Sequence, residues 1–86
     1  MLSSQRGATA VPELLSWAQA ITKRADPEID AQVEFEEDSY TFILRLAKGA
    51  RVLIFRLSQS QVYSDGREIE CERTLLRKIK DLWNLL

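Results

Sequence analysis

The stretch ARVLIFRL, residues 50–57, decides how this chain folds. In a β-strand, successive side chains point to opposite faces of the sheet. Leu53 and Phe55 then share one face, while Val52 and Ile54 share the other. A small antiparallel sheet usually has one buried face and one solvated face. The stretch therefore predicts a strand whose second face is also apolar, and it raises the question of what covers that face.

Two turn signals before this strand, DS at 38–39 and KG at 48–49, predict two β-hairpins. If each is a two-residue loop, both registers place large apolar residues opposite each other on one face. The predicted pairs are Phe35–Phe42, Val33–Leu44, Phe42–Phe55, Leu44–Leu53 and Tyr40–Leu57. Because lysine is not favoured at the first position of a two-residue loop, a longer loop with a bulge is the alternative at the second turn.

An amphipathic helix is predicted before the strands, from about Thr9 to Arg24. Pro12 fits its first turn, where the missing N–H is not needed. Pro27 disfavours helical geometry at Asp26, so the helix should end there. The apolar residues recur at helical spacing and form one stripe. They are Val11, Leu14, Leu15, Ala18 and Ile21, with Trp17 at the edge of the stripe.

A second long helix is predicted after the strands, from about Arg67 to Asn84. Asp65 is its predicted N-cap, and Glu68 is the reciprocal partner in a capping box. The alternative is a hairpin turn at DG, residues 65–66, which would add a fourth short strand near residues 58–66. The predicted apolar face of the helix consists of Ile69, Leu75, Leu76, Ile79, Leu82, Trp83 and Leu86.

Together these elements predict an α+β fold with the order α-β-β-β-α. The strands form a three-stranded antiparallel meander, and both helices pack on one face of it. We expect residues 1–8 to be a disordered N-terminal tail. Residues 9–86 should form a single domain, since 86 residues are enough for one domain and not for two.

The composition argues against catalysis and metal binding. The chain has no histidine and only one cysteine, Cys71, so it cannot build a Cys–His or Ser–His–Asp arrangement or a Cys/His zinc site. Of the acidic residues between 26 and 38, Glu34 and Glu36 alternate with Val33 and Phe35, which is typical of the solvated face of an edge strand. We therefore expect a protein that is not an enzyme and that has no cofactor and no metal site.

The chain also lacks the signals that direct a protein to membranes. Its longest apolar run, Val52–Phe55, is far shorter than the roughly 20 residues of a transmembrane helix. The N-terminus has no apolar region of the kind found in secretory signals. The formal net charge is -1, so no overall attraction to anionic lipid or nucleic acid is expected. These features predict a cytoplasmic protein without membrane contact.

The order α-β-β-β-α is similar to that of the double-stranded-RNA-binding domain, and the resemblance implies a nucleic-acid-binding module as the alternative function. The basic residues available for phosphate contacts are Arg45, Arg51, Arg56, Arg73, Arg77 and Lys80. Glu13 could stand for the glutamate that the family has early in its first helix. The family's second helix has a lysine-rich start, whereas the corresponding helix here begins REIECE. The resemblance is therefore one of topology, and nucleic acid is not the expected partner.

The predicted registers also arrange the face of the sheet that carries no helix. Its rows are Glu36–Thr41–Arg56, Glu34–Ile43–Ile54 and Gln32–Arg45–Val52. In this arrangement Ile43, Val52 and Ile54 form one contiguous apolar patch. The charged residues at the margins of the patch can pair across the strands.

This patch and the edge of the third strand predict a protein–protein interface. A long apolar edge strand without proline is normally covered or paired. We expect a homodimer, with another protein as the alternative partner, through the strand edge or through the helix-free face. A two-fold axis near Leu53 and Ile54 would set Arg51 opposite Arg56, a like-charge contact. The predicted interface residues are Ile43, Arg45, Arg51, Val52, Ile54 and Arg56.

Overall fold

The computed structural model describes residues 1–85, and the Leu86 position predicted for the last apolar face lies outside them. A single 3₁₀ turn, Gly7–Ala10, leads into the first helix. The α-helices are α1 (Val11–Ala25), α2 (Gln59–Tyr63) and α3 (Glu68–Trp83). The strands are β1 (Asp30–Glu36), β2 (Thr41–Lys48) and β3 (Arg51–Leu57).

The predicted fold class is confirmed. The three strands form one antiparallel sheet in the order β1-β2-β3, and α1 and α3 pack on the same face of it. Phe42, Leu44 and Leu46 of β2 lie at the centre of the core and are fully buried. The 3₁₀ turn and the helices contribute Ala10, Leu14, Ala18, Ile21, Val62, Leu75, Ile79 and Leu82 to the core. One continuous hydrophobic cluster thus joins the sheet to both long helices.

The register of the first hairpin is also confirmed. Phe35 lies opposite Phe42, and Val33 lies opposite Leu44. The loop itself is longer than two residues, because the last pair of the ladder is Glu36–Thr41 and residues 37–40 form the turn. Tyr40 adopts a left-handed conformation with φ 51° at the end of this loop. Such a residue commonly closes loops of this length before the next strand begins.

The predicted register of the second hairpin is wrong by two residues. Phe42 lies opposite Leu57, and Leu44 lies opposite Phe55. The two-residue loop is Gly49-Ala50 instead of Lys48-Gly49. Gly49 has φ +59°, whereas Ala50 keeps a negative φ. This is the pattern of a type II′ turn, which requires a positive φ at its first position. Placing Gly49 first supplies that φ without strain, and Lys48 in the same place would not.

Residues 1–8 lie against the domain in the structure, in contrast to the disordered tail expected from the sequence. The backbone N–H of Leu2 donates to the carbonyl of Val62 at 2.8 Å, and Ser3 is almost fully buried. The backbone N–H of Gly7 donates to the Tyr63 hydroxyl at 3.2 Å. Both hydrogen bonds are made to α2. The sequence did not predict this helix, so it could not predict these contacts.

Residues 58–66 contain α2 and a turn, and no fourth strand is found there. Ser58 is the N-cap of α2, and its hydroxyl accepts the N–H of Gln61 at 3.2 Å. The Gln61 side chain accepts the N–H of Ser58 at 2.8 Å, which completes a capping box. This box lies seven residues before the position where the sequence placed one. At five residues, α2 is too short to produce a recognisable apolar stripe.

The predicted cap of α3 is wrong as well. The N-cap is Arg67, without a side-chain cap hydrogen bond, and Asp65 lies two residues further upstream. Gly66, at φ +84°, turns the chain between Asp65 and the helix. The predicted apolar face includes Ile69, which is 64% exposed, and leaves out Cys71, which is fully buried. Cys71 lies in line with Leu75 at a spacing of four, and Ile69 does not.

Candidate functional site

The helix-free face of the sheet is the candidate site, and its rows differ from the predicted ones. They are Glu34–Ile43–Arg56, Gln32–Arg45–Ile54 and Asp30–Ala47–Val52. The shift of two residues leaves each β3 residue on its predicted face but changes its neighbours. Arg45 now lies between Gln32 and Ile54, so Ile54 is no longer directly opposite Ile43 as the sequence predicted. Val52 and Ile54 remain the most exposed large apolar residues of this face, at 40% and 56%.

The charges on this face are divided between its two sides. β1 contributes an acidic column of Asp30, Glu34 and Glu36, while the arginines lie on β2 and β3. Arg56 pairs across the sheet with Glu36 at 3.6 Å. The Ser39 hydroxyl, which donates to Glu36 at 2.6 Å, is the main cause of the lowered pKa of Glu36, and Arg56 adds to it. Arg45 forms no ion pair with any residue in the described range.

The edge of β3 is open. A two-residue loop is closed by a hydrogen-bonded pair, here Lys48–Arg51, and such pairs alternate along an antiparallel ladder. Val52, Ile54 and Arg56 therefore direct their backbone N–H and C=O groups away from β2. Within residues 1–85, no other hydrogen bond reaches these groups. The three residues whose backbone is unpaired are thus the three whose side chains lie on the helix-free face.

Five of the six predicted interface residues share this face, and Arg51 does not. Its guanidinium donates to the backbone carbonyl of Trp83 at 3.0 Å, on the side of the sheet that carries the helices. Arg51 and Arg56 are an odd number of residues apart, so they point to opposite faces. The predicted like-charge contact between them therefore cannot form in a continuous sheet. Strand alternation alone was a sufficient signal to separate the two arginines.

A shallow depression of about 250 Å³ lies on the β1–β2 side of the same face. It is lined by Gln32, Val33, Glu34, Ile43 and Arg45. The depression is open and carries one carboxylate and one guanidinium on neighbouring strands.

The basic residues of the nucleic-acid alternative lie on both sides of the sheet. Arg45 and Arg56 lie on the helix-free face, and Arg51 lies on the helix side of the sheet. Arg73, Arg77 and Lys80 lie on the exposed side of α3, beyond the core. The sheet therefore separates Arg45 and Arg56 from the basic residues of α3.

The remaining reactive group is Cys71, and it is enclosed. The thiol is fully buried and donates to the carbonyl of Gln61 at 3.3 Å. Burial raises the pKa of this thiol, which disfavours the reactive thiolate. Among residues 1–85, no group of three histidine, cysteine, aspartate or glutamate side chains is arranged to hold a metal ion. In the same range, none of the helices combines the length and apolarity that crossing a bilayer requires.

Comparison with protein families, with curated proteins and with solved structures gives no match for this chain.

Proposed function

We propose that this protein is a non-enzymatic protein-interaction module that forms a homodimer through β3. The observation that carries the proposal is the coincidence of two features on Val52, Ile54 and Arg56. Their backbone groups are unpaired, and the two apolar side chains among them are the most exposed on the sheet. Open edges of this kind are templates for a further strand.

The expected geometry is an antiparallel pairing of β3 with its own copy. A two-fold axis perpendicular to the sheet keeps equivalent faces together, so opposed residues must belong to the same face. An axis at Ile54 pairs this residue with its counterpart and pairs Val52 with Arg56 of the second copy. All three outward residues are then used, giving about six main-chain hydrogen bonds across the interface. The two sheets become one sheet of six strands.

The distribution of charge favours β3 over β1 as the paired edge. Two β1 edges brought together would oppose the acidic columns of Asp30, Glu34 and Glu36. With β3 at the centre, these columns lie at the two outer edges of the joined sheet, as far apart as the fold allows. The same columns discourage further growth of the sheet at its ends. A second copy of the chain is therefore the occupant that we propose for the β3 edge.

The alternative dimer packs the two helix-free faces against each other. Glu34 and Glu36 of one copy would then meet Arg45 and Arg56 of the other, while Val52 and Ile54 would be buried between them. This arrangement has complementary charge, but it places the unpaired arginine Arg45 in the apolar part of the contact. Strand pairing keeps Arg45 exposed to solvent, which is the reason for preferring it.

The test is the solution mass of the parent protein and of Ile54→Lys, measured by light scattering. We expect a dimeric parent and a folded monomeric variant, because the lysine would place a charge at the centre of the contact and leave the helix-facing core intact. Ile69→Lys is the matched control. Ile69 is equally apolar and 64% exposed, but it lies on α3, and its variant should remain dimeric. A parent that stays monomeric at high micromolar concentration would refute the proposal.

A further inference from the structure

The exposed side of α3 carries a second surface that the sheet does not use. Its apolar residues Ile69, Leu76 and Trp83 recur every seven positions and are 64%, 40% and 39% exposed. A spacing of seven keeps residues on one side of a helix. The core contact of α3 is made by other residues, namely Cys71, Leu75, Ile79 and Leu82. The α3 stripe is defined by Ile69, Leu76 and Trp83. Of the three side chains, that of Trp83 also helps to hold the helix in place, through the hydrogen bond from its indole to Asp26.

Cations accompany the α3 stripe. Arg73 and Lys80 lie three and four residues from Leu76 and are its neighbours on the helix surface. Arg77 follows Leu76 directly and lines the same depression as Leu76 and the other two cations. Within the described part of the chain, none of the three forms an ion pair. The whole chain has a net charge of -1, so this cluster is a local excess of positive charge. This positive cluster borders exposed apolar surface, and binding sites for proteins commonly have such a polar rim around an apolar centre.

The shape of this region is a groove between two helices. One depression of about 320 Å³ lies between α1 and α3 and is lined by Ile21, Arg24, Ala25, Glu72 and Leu76. A second depression of about 320 Å³ runs along α3 and is lined by Arg73, Leu76, Arg77 and Lys80. Leu76 lines both and separates them. Glu72 is the one carboxylate in this lining, and it is paired with Arg24 at 3.3 Å.

We propose that the α1–α3 groove binds an acidic amphipathic helix of a second protein, with Leu76 as the central apolar contact. The distance from Ile69 to Trp83 along α3 is about 21 Å, the length of about four helical turns. A helix laid beside α3 would place apolar residues against Leu76 and carboxylates against Arg73, Arg77 and Lys80. This surface lies on the opposite layer from β3, so the inference does not depend on the proposed dimer.

The experiment begins with a displayed library of random helical peptides of about four turns, selected for binding to the full chain. Recovered peptides should be rich in aspartate and glutamate and should carry leucine or phenylalanine at helical spacing. Their affinity is then measured by fluorescence anisotropy against defined variants. Leu76→Glu and the double variant Arg73→Glu with Arg77→Glu should each weaken binding about tenfold or more, and added salt should weaken it as well.

The controls separate this groove from the sheet. Arg45→Glu reverses the charge of an exposed arginine on the helix-free face, and Ile54→Lys alters the β3 edge. Both variants should leave the peptide affinity unchanged. Circular dichroism checks that Leu76→Glu remains folded, and Leu76→Ala provides a milder truncation of the same contact. Peptides without acidic enrichment, or peptides that bind Leu76→Glu as well as the parent, would overturn the proposal. So would tighter binding of duplex RNA or phosphatidylserine vesicles that is lost in the Arg73→Glu, Arg77→Glu variant.

Discussion

The indole N–H of Trp83 donates a 2.9 Å hydrogen bond to the carboxylate of Asp26, which joins the last turn of α3 to the residue that caps α1. The same carboxylate oxygen accepts the Lys48 ammonium at 2.6 Å, and the other oxygen accepts the Glu28 N–H at 3.0 Å. Asp26 thus connects both long helices to the end of β2. Lys48 reaches it because the β2–β3 loop begins at Gly49, which leaves Lys48 on the ladder.

Replacing Asp26 by asparagine should lower the free energy of unfolding at neutral pH. The amide oxygen can still accept a hydrogen bond, but the attraction to the Lys48 ammonium is lost. The measurement is urea unfolding of the parent and of Asp26→Asn, with Asp38→Asn as a control in an exposed turn. A variant as stable as the parent would show that the negative charge of Asp26 contributes nothing to folding.

The same pair of proteins should show a pH dependence of defined sign. The hydrogen bond from Lys48, followed by those from Glu28 and Trp83, holds the pKa of Asp26 below its ordinary value of 3.8. The ionised form is therefore favoured in the folded state. Its stabilisation is fully present above that ordinary value and is lost as the pH falls through the lowered pKa. The difference between parent and Asp26→Asn should be constant near neutral pH and should shrink in acid.

Replacing Gly49 by alanine should destabilise the second hairpin by about 1–2 kcal/mol, because a side chain at φ +59° is strained. The space around Gly49 is open, so the cost comes from the backbone alone. Thermal and urea unfolding measure it. An unchanged midpoint would contradict a loop at Gly49-Ala50 with a positive φ at its first position. In the parent, nuclear Overhauser contacts between the α-protons of Ala47 and Val52 would establish the register independently.

Phe42→Ala should cost about 3–5 kcal/mol, since it empties a fully buried position at the centre of the sheet. The Phe42 ring packs against Phe35 and Tyr63, with centroids 5.2 Å and 6.2 Å away. Tyr40→Ala is the matched aromatic control, because Tyr40 is 61% exposed. The loss of stability in Tyr40→Ala should be much smaller than in Phe42→Ala. If Phe42→Ala does not fold, Phe42→Leu measures a reduced loss at the same position, and a neutral Phe42→Leu would argue against its central place in the core.

Ile54→Pro distinguishes the two dimer geometries. Its N–H points away from β2, so proline should be tolerated in the isolated sheet but would remove a donor from the β3–β3 contact. We expect a folded monomer by circular dichroism and light scattering. A dimeric Ile54→Pro beside a monomeric Ile54→Lys would assign the contact to face-to-face packing instead. Arg45→Glu should then weaken that dimer, whereas it should not affect strand pairing.

The side of the sheet that faces the core follows from the sequence alone. Phe42 and Leu44 in β2 and Leu53 and Phe55 in β3 each recur with a period of two, and a two-residue loop between the strands puts both pairs on one face. This conclusion survives the error in the second register, because a shift of two residues preserves the face of every side chain. The apolar stripe of α1 and the order of the elements are equally local in origin, and they were correctly predicted.

The neighbours of each residue across the strands are decided by the closed tertiary structure. A KGA segment allows two loop positions, and the choice depends on which residue takes the positive φ and on how Lys48 meets Asp26. That choice puts Arg45 beside Ile54 and so sets the composition of the helix-free face. The formation of the short helix α2 and the exposure of Ile69 are also decided by the tertiary structure. They depend on contacts between distant segments, for which a local pattern of side chains carries no signal.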